Sequence, residues 1–340
     1  MSKPLSSHPL FGIGLVLLSA VGLAAQNVVL RLFFSSKDVI VLGTFGGFIP
    51  DDLSNILFLL AIRTAGMAIM LAIAAPIIYA PTYADIRRAS RTPRLRNAIL
   101  SGGICSIASL AFLYAALSQL PTGVAIATFF IYPAITVLLA WKIFQQRPPA
   151  YQLVVMGVIL GGVFWLNWPL ADNAATSSGS LLGFICALLA SSGFGLYGIF
   201  SEIALRPHSA RPHLHPIPFS LLVFGVGAVF SCATTLLLWG LGNPLTIPLW
   251  AADEVLVMTL VCAGLTLVAY VLNNFGVRYI GAALTALITA MVPSLTTVFA
   301  WGLLSETLRI YQMAGIAMIT LGIAALSFKA GAEDRAERSS

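Results

Sequence analysis

The chain has 340 residues, of which 59% are hydrophobic and only 9% charged, with a mean hydropathy of +0.95. A water-soluble domain carries about 25% charged residues, so these charges cannot cover a globule of this size in water, and the apolar surface needs lipid as its solvent. The net charge of +6 and the pI near 9.3 do not point to nucleic acid, because the basic residues lie in short connections between apolar runs, where they set membrane topology.

The N-terminus imitates a signal peptide: Lys3 precedes an apolar run from Leu10 to Leu23 and the pair Ala24-Ala25. The run continues through Val28, Leu32 and Phe34, which makes it long enough to cross a bilayer. It reads as a retained first span. Ten apolar segments of roughly spanning length follow one another: 11–34, 56–80, 97–117, 121–141, 151–170, 180–203, 217–240, 254–275, 282–304 and 311–328. Links near 118–121 and 305–310 are the shortest and predict antiparallel helical hairpins.

Three stretches stand outside this pattern. Ser35 to Ser54 holds the short apolar run Val39–Pro50 with Gly43, Gly46 and Gly47, and reads as an ordered loop more readily than as a re-entrant piece. Between Arg206 and Pro218, His208, His213 and His215 lie among four prolines. A His-x-His without carboxylates or cysteines is a weak metal signal, and the segment reads as a solvated linker. Residues 330–340, after Lys329, form a charged tail that reads as disordered. The cysteines, Cys105, Cys186, Cys232 and Cys262, are scattered singly in apolar runs, as small packing residues are.

An internal repeat fixes the architecture. Pro121–Trp168 and Gly281–Phe328 read alike without a gap. Pro133 answers to Pro293, Trp141 to Trp301, Tyr151 to Tyr311, Gln152 to Gln312 and Gly162 to Gly322, each pair 160 positions apart. Two copies are therefore expected, over 10–170 (with the extra loop 35–54) and 180–329, joined by a linker of polar and small residues at 171–179. With the N-terminus inside, most of the 18 Lys and Arg fall on the cytoplasmic side, and both termini are expected there. Five spans per copy turn the second copy upside down. The expected fold is an all-α integral membrane protein of ten transmembrane helices in two inverted five-helix repeats, an arrangement common among secondary transporters.

The unit resembles the EamA-like families of the drug/metabolite transporter superfamily. In the first copy the likeness rests on Tyr114-Ala-Ala-Leu, Gly123-Val-Ala, Pro133, Trp141 and Gly161-Gly162-Val163. In the second it rests on Gly281-Ala-Ala, Pro293, Trp301, Glu306 and Leu321-Gly322. Gln146 stands in the first copy where Glu306 stands in the second. Asn27, Arg31 and Arg63 also match the family's pattern, while Ala24-Ala25 replaces its usual Trp-Gly. The resemblance implies a non-enzymatic transporter of a cell inner membrane, with no cofactor and a small-molecule substrate. A monomer and a homodimer both fit.

A binding site is expected near the midplane, between the copies. Gln26 and Asn27 offer donors and acceptors from the first span, for a ligand or for a neighbouring helix. Asn273 and Asn274 end the eighth apolar segment, with Tyr270 one turn earlier; Asn274 falls on Tyr114 in the repeat. Pro133 and Pro293 free carbonyls near Phe129 and Thr289, and serve either as gating kinks or as static ones. Arg63 lies well inside its span and is a functional residue by default: it holds an anion, snorkels, or pairs with Asp51 or Asp52. Arg31 lies toward the same side. Tyr132, Trp165 and Tyr197 are candidates to wall a cavity.

No Asp or Glu lies mid-span; Glu202 and Glu306 are expected at helix ends near water. Organic cations carried against protons normally use a membrane-embedded carboxylate, so the reading favours amino acids or related carboxylates, effluxed. Facilitated exchange or uniport is then more plausible than proton coupling through a buried acid. A sugar- or nucleotide-type exchanger and a multidrug exporter are alternatives within the fold, and a scaffold is the alternative outside it. No Walker A, His-Glu-x-x-His or Gly-x-Ser-x-Gly motif supports an enzyme.

Overall fold

The computed structural model describes residues 9–34, 36–39, 43–50, 53–117, 119–120, 122–145, 147–166, 181–207, 212–242, 245–248, 251–304 and 309–339. The chain is helical nearly throughout. Its helices are α1 (Pro9–Phe34), α2 (Leu53–Ile78), α3 (Thr82–Arg91), α4 (Pro93–Leu117), α5 (Thr122–Phe129), α6 (Tyr132–Phe144) and α7 (Ala150–Leu166), then α8 (Leu181–Leu205), α9 (Pro216–Gly240), α10 (Ala252–Thr289), α11 (Val292–Leu303) and α12 (Ile310–Ser339). Among the described residues six helices are long and apolar enough to cross a membrane: α1, α2, α4, α8, α9 and α10. Shorter apolar helices cover Tyr132–Phe144, Ala150–Trp165, Val292–Leu303 and Ile310–Leu326. The apolar faces that the protein leaves open, such as Ile77, Leu181 and Ile310 at 85%, 74% and 87% exposure, are those that lipid covers.

The described part of the segment after α1 contains a β-hairpin. Strands β1 (Ser36–Val39) and β2 (Gly43–Gly46) pair antiparallel. Gly43, Gly46 and Gly47 take φ of 70°, 112° and 75°, values that glycine adopts without a Cβ penalty. The Gly47 and Ile49 N–H groups donate to Leu32 and Phe33 carbonyls at 2.9 and 3.0 Å, which satisfies carbonyls at the C-terminus of α1. Phe48 and Ile49 then bury themselves against Phe33, Leu59 and Met258. At the same end, Asn55 donates to Thr246 Oγ1 at 2.8 Å and accepts from the Thr246 N–H at 3.1 Å, tying the start of α2 to the α9–α10 connection.

Several expectations are corrected. No loop separates the eighth and ninth apolar segments. Along α10 two helices join directly at a kink at Gly281 (φ 84°, ψ 165°), which falls between the two segments. Asn273 and Asn274 therefore lie within a helix rather than at its end. Pro133 and Pro293 do not kink continuous helices. Each stands in the first turn of a new one, α6 and α11, where the missing N–H is not needed; α5 and α10 end a residue or two before. Residues 330–339 continue α12 as a helix, since Ala, Glu, Arg and Lys are strong helix formers. The connection of 79–96 contains α3, whose basic residues Arg88 and Arg91 lie in its last turn, where the helix dipole favours them. The linker 171–179 and Glu306 lie outside the described residues.

The main pairings are α1 along α10, α4 along α8, α2 along α9 and α7 along α12. Small residues set their separation, as is usual where helices meet in lipid. A Cβ on Gly162 would lie 2.8 Å from Ile319 Cγ1, and one on Gly322 would lie 2.7 Å from Ile159 Cγ1. Two further pairings are pinned by serines: Ser19 donates to the Ala269 carbonyl at 2.7 Å across α1 and α10, and Ser109 to the Ala190 carbonyl at 2.6 Å across α4 and α8.

Candidate substrate cleft

Helices α1, α6, α8 and α10 converge on a narrow cleft with a cavity volume of about 30 Å³. Its polar wall comes from Tyr132, Tyr197, Tyr270, Asn273, Thr285 and Thr289, and Leu23, Phe194 and Ala286 supply apolar surface. The Thr285 and Thr289 hydroxyls donate to the carbonyls of Gly281 and Thr285, one turn back, at 2.7 and 2.8 Å. The Thr289 hydroxyl shares its single proton between the Thr285 carbonyl and Asn273 Oδ1, the latter at 3.2 Å, and among the described residues nothing holds the Asn273 amide nitrogen. This mixture of apolar wall and few polar groups is that of a small-molecule site.

A second polar cluster lies behind the cleft and is fully used. Asn274, with no exposed surface, accepts from the Tyr197 hydroxyl at 3.1 Å and donates to Ser220 Oγ at 2.9 Å. It links α8, α9 and α10 and has little left for a ligand. Its partner Tyr197 stays in the cleft wall through its ring.

The other candidates are distributed as follows. Asn27 donates to Thr296 Oγ1 at 3.3 Å, an interhelical bond between α1 and α11. Gln26 is buried on α1, and its carbonyl accepts from Cys262 Sγ at 3.8 Å; neither residue lines the cleft. Trp165 does not wall it either, being 48% exposed on α7. Arg63 is 8% exposed on α2 and so does not snorkel. The side chain of Arg31 and residues Asp51 and Asp52 lie outside the described residues.

The cleft closes at one end on a residue expected near water. Glu202 is 1% exposed. Its carboxylate accepts from Arg206 Nη1 at 2.7 Å and from the Ala282 N–H at 2.7 Å. The second bond caps the helical segment that restarts after Gly281, where an anion also meets the positive end of the helix dipole. Sequence reasoning missed this because Glu202 and Ala282 are 80 positions apart. The available signal was the i, i+4 spacing of Glu202 and Arg206.

In the histidine segment His215 caps a helix, and among the described residues no group of three His, Cys, Asp or Glu could hold a metal ion. His215 Nδ1 accepts from the Ile217 N–H at 3.4 Å at the start of α9, and its ring stacks on Tyr79 at 4.0 Å and meets Phe275 edge-on. His208 lies outside the described residues. Burial, and then Arg278 alongside, lower the His215 pKa to about 4 against the opposing pull of Asp85. Unfolding frees the ring to titrate near ~6.5, so the unfolded chain binds a proton that the folded one refuses. Stability from this group is present above pH ~6.5 and is lost as pH falls toward 4. Melting temperature measured from pH 7 to 4 is expected to fall, and His215→Gln to flatten that part of the profile.

A family model described as the EamA-like transporter family matches residues 181–328. The protein named "Uncharacterized transporter sll1319" of Synechocystis sp. is 30% identical over 335 residues, spanning 96% of this chain and 95% of its own. The chain also superposes on a crystal structure of a protein 14% identical to it, with a TM-score of 0.64, covering 93% of this chain and 96% of the other. That likeness concerns the fold alone.

Proposed function

Because the chain belongs to the EamA-like transporter family, and is a multi-pass membrane transporter on that ground, we propose that it is a secondary transporter of small polar metabolites. Amino acids or related carboxylates, moved outward, are the favoured cargo. It works by alternating access between two inverted five-helix halves, 10–170 and 180–329, with both termini in the cytoplasm.

The observation that carries this reading is the exchange symmetry of the helix contacts. Take α5 and α6 as one broken span, and divide α10 at Gly281 so that its last part and α11 make another. Ten spans result. The first then lies against the eighth and the third against the sixth, the second against the seventh and the fifth against the tenth. Swapping the halves maps this set onto itself. The glycine–isoleucine contacts obey the same exchange, because Gly162 and Ile159 correspond to Gly322 and Ile319. So do the two breaks, 130–131 and 290–291, and the two prolines after them. The cleft lies on this inferred axis, where transporters bind. Its cavity volume of only about 30 Å³ supports a constricted state that must open to load.

Flux in proteoliposomes is the test. Labelled amino acids, sugars, nucleobases and organic cations are screened with and without a pH gradient. A saturable amino-acid flux is expected. Asn273→Ala should lower it about tenfold or more, the loss of one hydrogen bond to a charged ligand, whereas Asn27→Ala, outside the cleft, should leave it nearly unchanged. Absence of saturable flux for every solute would sink the transporter reading, and pH-driven flux of an organic cation would sink the cargo assignment.

A further inference from the structure

Arg63 is a buried cation with no counter-charge among the described residues. It projects from α2, and its neighbours are Tyr114 on α4 and Cys262 and Tyr270 on α10. Its buried Nε has no hydrogen-bond partner among the described residues. No described carboxylate pairs with it; the ion pair found among the described residues is Arg206–Glu202. A guanidinium held in this way is destabilising unless something neutralises it, and inside a membrane protein such a group is retained for use.

Comparison of the proposed halves sharpens the point. Tyr114 corresponds to Asn274 and Arg63 to Val223, which is buried and apolar. In the second half Asn274 holds both Ser220 and Tyr197. In the first half the same location has a fixed positive charge and an unfilled donor. Symmetry alone does not call for that charge. Tyr270 connects the two regions, since it lines the cleft and lies within electrostatic reach of Arg63.

We infer that Arg63, with the Tyr114 and Tyr270 hydroxyls, is an oxyanion subsite that receives the carboxylate of the cargo at the end of the cleft marked by Tyr270. The inference rests on the transporter reading and narrows its cargo to solutes bearing a carboxylate or a similar planar oxyanion. Guanidinium suits such a group because its N–H fork matches two oxygens at once. Phosphate shares this chemistry, whether free or as a lipid headgroup.

The test measures binding apart from transport. The full chain is placed in nanodiscs of phosphatidylcholine, and its thermal stability is followed against glutamate, succinate and inorganic phosphate, with glutamine and succinamide as neutral counterparts. Parallel discs contain phosphatidylglycerol. Glutamate or succinate is expected to stabilise the protein while the neutral counterparts do not. Arg63→Met should abolish the difference. Arg63→Lys keeps the charge but loses the fork, and should weaken apparent affinity about ten- to hundredfold; it keeps the test decisive if Arg63→Met fails to fold. An anion response unchanged in Arg63→Lys, no response to any soluble oxyanion, or a response to phosphatidylglycerol alone would overturn the subsite. Flux of neutral solutes with no anion binding would overturn it while leaving the transporter reading standing; Arg63-dependent anion binding without any flux would do the reverse.

Discussion

Gly281→Ala is expected to destabilise the protein by about 3 kcal/mol and to abolish flux in proteoliposomes. Two effects combine. The backbone at Gly281 has φ 84° and ψ 165°, a region open essentially to glycine alone and worth roughly 1–3 kcal/mol of strain for any other residue. A Cβ there would also stand 3.1 Å from Arg206 Nη1 and 3.3 Å from Glu202 Oε1, pressing on the buried ion pair that caps the following segment. Because the strain is in the backbone, Arg206→Ser should not rescue Gly281→Ala. Asn should not replace Gly281 either: it tolerates a left-handed helical turn, whose ψ is near 47°, but not this one. A melting temperature for Gly281→Ala within a degree of the wild type would refute the account.

The same corner shows what the sequence reveals and what it hides. The membrane class and the positions of the apolar segments follow from runs of hydrophobic residues, because in lipid each helix satisfies its own backbone. The repeat is visible in the fixed spacing of Pro133 and Pro293, Trp141 and Trp301, Gly162 and Gly322. Where chemistry depends on residues far apart in the chain, the sequence is silent. Glu202 sits beside Arg206 and Pro207 and looks like a water-facing helix end; its burial comes from Gly281 and Ala282, on another helix. Asn274 reads as the last residue of a span because Gly276 and Arg278 follow it, yet α10 runs on, and the Arg278 guanidinium donates to the Leu214 carbonyl at 2.9 Å. Tyr132 and Tyr197 are legible as wall candidates from their rings, Tyr270 and Asn273 from their polarity near one another, and Thr289 from its place one turn before Pro293. Thr285 was not singled out, although it lies one turn before Thr289 on the same face. Trp165 misled because a large aromatic serves equally well against lipid.

The contact between α1 and α10 is where the proposed halves are most tightly joined, and Gly276 is its closest point. A Cβ on Gly276 would overlap Val16 Cγ2, and Val16 has no exposed surface and no room to retreat. Gly12 and Gly22 repeat the arrangement from the other side, facing Ile280 and Ala269. Small residues at such a spacing allow the dispersion contacts that hold helices together in lipid, where no hydrophobic effect drives them. Gly276→Ala is therefore expected to destabilise by about 2–3 kcal/mol, the usual effect of overpacking a closed interface, and Gly276→Leu to prevent folding. The informative experiment is the pair. Val16→Ala removes the methyl group that collides, so Val16→Ala with Gly276→Ala should recover most of the stability lost in Gly276→Ala, a coupling of more than about 1 kcal/mol between residues 260 positions apart. Additive losses in thermal denaturation of the double variant would mean that α1 and α10 do not meet at this point. Because Ser19, one turn along α1 from Val16, donates to Ala269 on α10, and α1 and α10 both line the cleft, the rescued double variant should also keep its flux: restoring the spacing of these helices restores the cleft between them.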